Sequence, residues 1–216
     1  MRGGRRFAAG IGLLGVVGLC GAGGCASSQA AWRPLFNGQN LEGWTEIGSV
    51  GAWSVEDGVL QCSGEHTKYA WLSTDRTYGD FILSFDWRIE PGVNAGVFCR
   101  VPQHEGRASM TGFEVQIVDN AVMEKANEKC GSIFARAAAA PGVCAPPGQW
   151  NHYEISCRGR HVTVVVNGVT AIDLDMDTIE SMRDVPNEGY IGLQNHGDPV
   201  EFRNVKIREL PQSPGE

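Results

Sequence analysis

Apolar and polar residues alternate with a period of two along almost the whole chain after Trp32. In the run from Phe81 to Ile89, the residues Phe81, Leu83, Phe85, Trp87 and Ile89 fall on one side, with Ser84, Asp86 and Arg88 on the other. Successive side chains of a strand point to opposite faces, so this pattern predicts a half-buried strand. Similar runs predict strands at 52–55, 59–62, 96–101, 112–118, 153–157, 161–166, 169–174, 190–194 and 200–207. Turn residues separate them, among them Glu56-Asp57-Gly58, Glu90-Pro91-Gly92 and Arg158-Gly159-Arg160. Asn167-Gly168, between two apolar runs, predicts a tight hairpin, because both central positions of such a turn need positive φ. Residues 121–129 and 178–183 hold at most a helical turn or two. Some ten short strands with regular turns predict one all-β domain, a sandwich or jelly roll. One irregular stretch, 120–149, is rich in Ala, Pro and Gly and long enough to be a functional loop or a flap.

The N-terminus follows a different rule. Arg2, Arg5 and Arg6 precede an uncharged apolar and glycine run, then Gly21-Ala22-Gly23-Gly24-Cys25. A basic start, a short apolar stretch and small residues before a cut site make an export signal. The apolar run falls short of the roughly 20 residues that span a bilayer. The small residues before Cys25 resemble a lipobox in which the cysteine becomes the lipidated first residue, although Ala22 stands where Leu is usual. The alternative is ordinary signal-peptidase cleavage with Cys25 a bystander. The expected layout is a signal peptide at 1–25, a tether at 26–31, the β domain at 32–210 and a short tail at 211–216. The expected location is the cell envelope, periplasmic or outer-membrane associated, with membrane contact only through the lipid.

Charge and cysteine use narrow the field. The chain carries a net charge of −7; residues 1–25 hold three Arg and no acid, which leaves −10 for the rest. Nucleic-acid binding needs a basic face, so nucleic acid is not an expected partner. Beyond Cys20 and Cys25 lie Cys62, Cys99, Cys130, Cys144 and Cys157. Export permits disulfides. Cys130 and Cys144, which flank a loop-like stretch, are the best pair. No CxxC occurs and nothing has zinc-site spacing. Asp173, Asp175 and Asp177 alternate as in a calcium loop, but Thr178 and Asp184 stand where that loop needs Gly and Glu. Ser132 follows Gly131 without the G-x-S-x-G elbow of a nucleophile.

The polar side of the predicted strands carries the candidate chemistry. Glu114 and Gln116 share a face, as do Asn94, Phe98 and Arg100 on the preceding strand, and Gln194 and His196 near the C-terminus. On neighbouring strands they would gather a carboxylate, amides, a guanidinium and an imidazole, groups suited to sugar hydroxyls. From the alternation alone, ordinary solvated strand faces are the favoured reading. Trp44, Trp53 and Trp87 read as core, while Trp71 and Trp150, beside turns, are candidate sugar platforms.

The motifs also come in a telling order. Leu35-Phe36-Asn37-Gly38 and Leu41-Glu42-Gly43-Trp44 lead to Trp53-Ser54-Val55-Glu56-Asp57-Gly58 and Asn94-Ala95-Gly96-Val97-Phe98-Cys99-Arg100. Then come Gly112-Phe113-Glu114-Val115-Gln116, Gly148-Gln149-Trp150-Asn151 and Gly189-Tyr190-Ile191-Gly192-Leu193-Gln194-Asn195-His196. Over roughly 32–210 the chain resembles the 3-keto-disaccharide hydrolase domain family. The resemblance implies a concanavalin-like jelly roll of two antiparallel sheets and a glycoside-cleaving activity on sugars oxidised at C3. A C3 ketone acidifies the C2 proton; its removal can expel the C1 substituent, and water adds afterwards. Such chemistry needs a base, an electrophile for the enolate oxygen and an acid for the leaving group. Carried over by motif, the resemblance implies His196 or Glu114 as base and Arg100 at the enolate oxygen. It implies Asn94, Gln116, Asp119 and Gln194 at sugar hydroxyls, with Trp71 and Trp150 as walls. No cofactor is required, although a divalent metal on Glu114, Asp119 or His196 is an alternative electrophile. Many relatives carry Gly-Ala-Ile-Tyr where this chain has Gly131-Ser132-Ile133-Phe134. A non-catalytic carbohydrate-binding module of the same fold is the alternative function.

Overall fold

The computed structural model describes residue 1, residue 4 and residues 31–65 and 70–212. The leader and Cys25, most of the tether and most of the tail therefore lie outside the described residues. Among the described residues thirteen strands form: β1 (Arg33–Pro34), β2 (Trp44–Ile47), β3 (Trp53–Glu56), β4 (Val59–Cys62), β5 (Trp71–Thr74), β6 (Phe81–Ile89) and β7 (Asn94–Val101). They continue with β8 (Phe113–Val118), β9 (Asn151–Arg158), β10 (His161–Val166), β11 (Val169–Asp175), β12 (Tyr190–Gln194) and β13 (Val200–Glu209). Ten match the alternation to within a few residues. The other three, β1, β2 and β5, are short; β5 is buried at every position and so has no polar beat to find.

The strands make two antiparallel sheets, the jelly-roll sandwich that the sequence predicts. The larger runs β11-β10-β9-β6-β13-β4-β3, with β1 added to β13, and the smaller runs β2-β5-β12-β7-β8. Between them lies one apolar core. Phe81, Leu83, Phe85 and Trp87 of β6 and Tyr153 and Ile155 of β9 contribute from one sheet, and Leu72, Val97, Phe113, Val115 and Leu193 from the other. Trp44, Trp53 and Trp87 are core residues, as expected. Asn167 and Gly168 both take positive φ at the β10–β11 hairpin. The helical segments are single turns, including 3₁₀ turns at Asn120–Val122, Ala126–Glu128, Met176–Thr178 and Glu180–Met182.

The 120–149 insert is a packed structure rather than a loose flap. It lies along the free edge of β8: Gln116 N donates to Ser132 O (2.9 Å), Gly131 N to Gln116 O (3.0 Å) and Phe134 N to Glu114 O (2.9 Å). Cys130 and Cys144 form the expected disulfide within it. The Tyr153 hydroxyl, buried beneath, donates to Gln116 O at 2.7 Å. Ser132 is a staple: its hydroxyl donates to Ala126 O and accepts from Ala139 N, both at 3.0 Å. This covering explains why β8 is buried on both faces.

Candidate active site

The outer face of the smaller sheet carries the polar residues read from the alternation. Register pairs Phe98 with Glu114 and Gly96 with Gln116 across β7–β8, and Leu193 with Val97 across β12–β7. Asn94, Gly96 and Phe98 therefore share a face with Glu114 and Gln116 on one side and Gln194 on the other. A cavity of about 270 Å³ opens above them, and Asn94, Phe98, Glu114, Gln116, Gln194 and His196 all line it. Segments outside the strands add further walls, among them Arg107, Ala108 and Ser109 from the β7–β8 connection and Phe134 from the insert. Phe134 gives that wall a ring without a hydroxyl.

Glu114 is the centre of the pocket. Its carboxylate leans across β7 at Gly96, where a Cβ would lie 2.4 Å from Oε1. Only 4% of the residue is exposed. Burial pushes the Glu114 carboxyl up to about 8, against the opposing pull of a hydrogen bond from the Gln194 side chain and the charges of Arg107 and Arg136. A buried carboxylate without a full ion-pair partner is disfavoured, so the group is held largely protonated at neutral pH.

The amides around it are incompletely used. Gln116 donates its Nε2 to Glu128 O at 3.1 Å, which fixes its orientation and leaves Oε1 as an acceptor. Among the described residues, Gln116 Oε1, Asn94 Oδ1 and Gln194 Oε1 are buried without a hydrogen-bond partner. An unmet buried acceptor costs about 1–3 kcal/mol, so three around one cavity call for a ligand rich in donors. His196 sits at the exposed rim. Its loop is held by Asn195, whose Nδ2 donates to Glu65 O at 2.7 Å, and by Asp198, which accepts from Asn94 N at 3.1 Å.

Four expected site residues lie elsewhere. Arg100 is fully buried and donates to Gly159 O (2.7 Å), Asn187 Oδ1 (3.2 Å), Asp80 Oδ1 (3.3 Å) and Gly79 O (3.4 Å). A β-bulge is the reason. Phe98 pairs with Gly192 and Val101 with Tyr190, so Cys99 and Arg100 both stand opposite Ile191. Arg100 takes φ +55°, and the extra residue reverses the alternation beyond Phe98. Asp119 caps a 3₁₀ turn, accepting from Ala121 N at 3.0 Å and Gly92 N at 2.9 Å, and these bonds hold its carboxyl below the usual range. Trp71 is 1% exposed and packs edge-on against Phe98 in a small apolar cluster beneath the 102–111 segment, so it supports a wall without being one. Trp150 belongs to the other sheet's outer side, with the guanidinium of Arg203 3.9 Å and that of Arg88 4.8 Å from its ring centre.

Of the groups considered for a metal, Glu114 and His196 share the pocket and Asp119 does not. Among the described residues no cluster of three His, Cys, Asp or Glu could hold an ion. Asp173 and Asp177 instead bond His161 and Arg160. Arg107, Arg136 and Phe134 are the residues around Glu114 to which strand alternation gives no access, since they sit on connecting segments.

The family model for the 3-keto-alpha-glucoside-1,2-lyase-like domain matches residues 31–208, the whole sandwich. The chain belongs to that family. A curated 3-keto-disaccharide hydrolase of Bacteroides thetaiotaomicron is 22% identical over 224 residues, spanning 82% of this chain and 77% of the relative. A crystal structure from Parabacteroides distasonis, of a protein named only provisionally as a glycosyl hydrolase, superposes with a TM-score of 0.73 at 30% identity. It covers 83% of this chain and all of its own. The carbohydrate-binding module CBM66 of Bacillus subtilis shares the fold at a TM-score of 0.56 and 15% identity, covering 77% of this chain and 96% of the module.

Proposed function

We propose that this member of the 3-keto-alpha-glucoside-1,2-lyase-like family cleaves glycosides that carry a ketone at C3, by elimination across C1–C2 followed by hydration. The observation that carries the reading is Glu114, a buried carboxyl raised to about 8 on the floor of a pocket ringed by unpartnered amide oxygens. The family and the name of its curated relative support a hydrolase acting on such sugars. The amide acceptors of Asn94, Gln116 and Gln194 receive sugar hydroxyls. His196, at the rim, takes the C2 proton; Glu114, protonated at neutral pH, gives its proton to the departing C1 oxygen. A carboxyl tuned near the working pH is an efficient proton donor. Water then adds at C1 and a proton returns to C2, so the net result is hydrolysis.

The test is release of free sugar from a 3-keto-glucoside by the purified chain, with the unoxidised glucoside as control. Turnover of the ketone alone supports the proposal. Sugar binding without turnover of either would overturn it in favour of a binding module. We further propose the cell envelope as its location, through lipid on Cys25. Incorporation of labelled palmitate that Cys25→Ala abolishes would support this, whereas an unlabelled exported protein would leave Cys25 a bystander.

A further inference from the structure

With Arg100 engaged by Asp80, the charge that forms on the C3 oxygen needs another partner. Arg107 lines the pocket from the residue preceding the helical turn Ala108–Thr111. Its backbone is anchored: its carbonyl accepts from Met110 N at 2.9 Å and Thr111 N at 3.2 Å. Its guanidinium is exposed, and among the described residues it makes neither a salt bridge nor a hydrogen bond; it meets Glu114 only through space. By contrast Arg33, Arg76, Arg88, Arg100, Arg160 and Arg203 each meet a carboxylate. Arg136 stands close by, and its guanidinium donates to Gly112 O (2.7 Å) and Met110 O (3.3 Å), which ties the turn to the insert. Arg136 too lacks a carboxylate in contact. With Glu114 protonated, the pocket presents positive charge without its counter-charge, in a chain of net charge −7. Such a site is built for an anion that arises there.

We propose that Arg107 is the catalytic electrophile that meets the enolate oxygen, and that Arg136 is a positioning residue for the turn that carries it. This rests on the 3-keto-glycoside reading above. When base removes the C2 proton, the C–H electron pair forms the C2=C3 bond and the carbonyl pair moves onto the C3 oxygen. Arg107 donates N–H to that oxygen. The enolate then collapses: C3=O re-forms, the electron pair makes C1=C2, and the C1–O bond breaks as its oxygen takes the Glu114 proton. A guanidinium stays protonated throughout, so it stabilises the charge without itself titrating.

Two readouts on a 3-keto-glucoside test this: steady-state cleavage, and exchange of the C2 proton for deuterium followed by NMR. Arg107→Gln is expected to lower kcat and C2 exchange together by about 100–1,000-fold, the usual cost of one oxyanion donor, with KM within a few-fold. Arg107→Lys is expected to recover part of both. Arg136→Gln is expected to lower kcat and exchange by a smaller factor at nearly unchanged KM, and Arg136→Lys to restore them. A folded Arg107→Gln enzyme with wild-type kcat and exchange overturns the inference while leaving the proposed function intact. A wild-type chain that neither cleaves nor exchanges overturns both.

Discussion

The carboxylate of Glu114 occupies the space that a side chain at Gly96 would need: a Cβ there would meet Oε1 at 2.4 Å and Cγ at 2.9 Å. The glycine lets the acid cross its neighbouring strand and reach Gln194. Gly96→Ala is therefore expected to displace the carboxyl and keep the fold, since the atoms in the way belong to a side chain rather than to the backbone. A shift of about 1 Å in a catalytic group costs on the order of 100-fold in rate. Cleavage assays beside circular dichroism check this, and a fully active Gly96→Ala enzyme would contradict the placement of Glu114.

Glu114 also sets a pH dependence. Its carboxyl lies at about 8 in the folded chain against an ordinary value of 4.5. The folded state holds the proton more tightly than the unfolded, so stability falls as pH rises from about 4.5 to about 8 and levels off above. The slope is roughly 1.4 kcal/mol per pH unit at most. Glu114→Gln keeps the shape without the titration. It is expected to flatten this slope, to be more stable than wild type at pH 8 and above, and to lose cleavage. Denaturant titrations across pH would expose the idea as wrong if the two proteins showed the same slope.

Arg100 should behave as a structural cation. It and Asp80 are buried together, and truncating one member of such a pair costs about 3–5 kcal/mol. Arg100→Met is expected to lower the unfolding midpoint sharply, while the protein that remains folded keeps kcat within a few-fold. A stable, inactive Arg100→Met would return this residue to the chemistry.

The Cys130–Cys144 disulfide closes a separation of 14 residues, a loop worth about 3 kcal/mol. Cys144→Ser is expected to lower stability by that order. It should also raise KM and lower kcat together, because the insert holds both the Phe134 wall and Arg136, which ties down the turn that carries Arg107. Unchanged KM in the variant would mean that the strand-edge hydrogen bonds alone fix the wall.

The two sheets were legible in the sequence because a core on one side forces a two-residue beat. The same beat disclosed Asn94, Glu114, Gln116 and Gln194 as a shared polar face, and His196 just beyond the end of β12. It failed where one residue changed the phase. The bulge at Cys99–Arg100 uses no glycine at the left-handed position, so nothing in the residue types announces it. Trp71 and Trp150 were misread for another reason. The depth of an aromatic on an outer face depends on what covers it, and the 102–111 segment covers Trp71. Arg107 and Arg136 sit on connections with no periodicity, where only the folded chain brings them to Glu114.

The way the insert lies along β8 has a consequence beyond the pocket. β8 reads Phe-Glu-Val-Gln-Ile-Val, a proline-free, strongly strand-forming hexapeptide at the margin of a sheet. Bare segments of this kind recruit one another into intermolecular β-structure. Residues 131–134 take up the hydrogen bonds that a second molecule would use. The same covalently closed loop thus guards colloidal solubility and shapes the active site. Damage to it would leave the edge of the strand that carries Glu114 open to pairing with a second molecule.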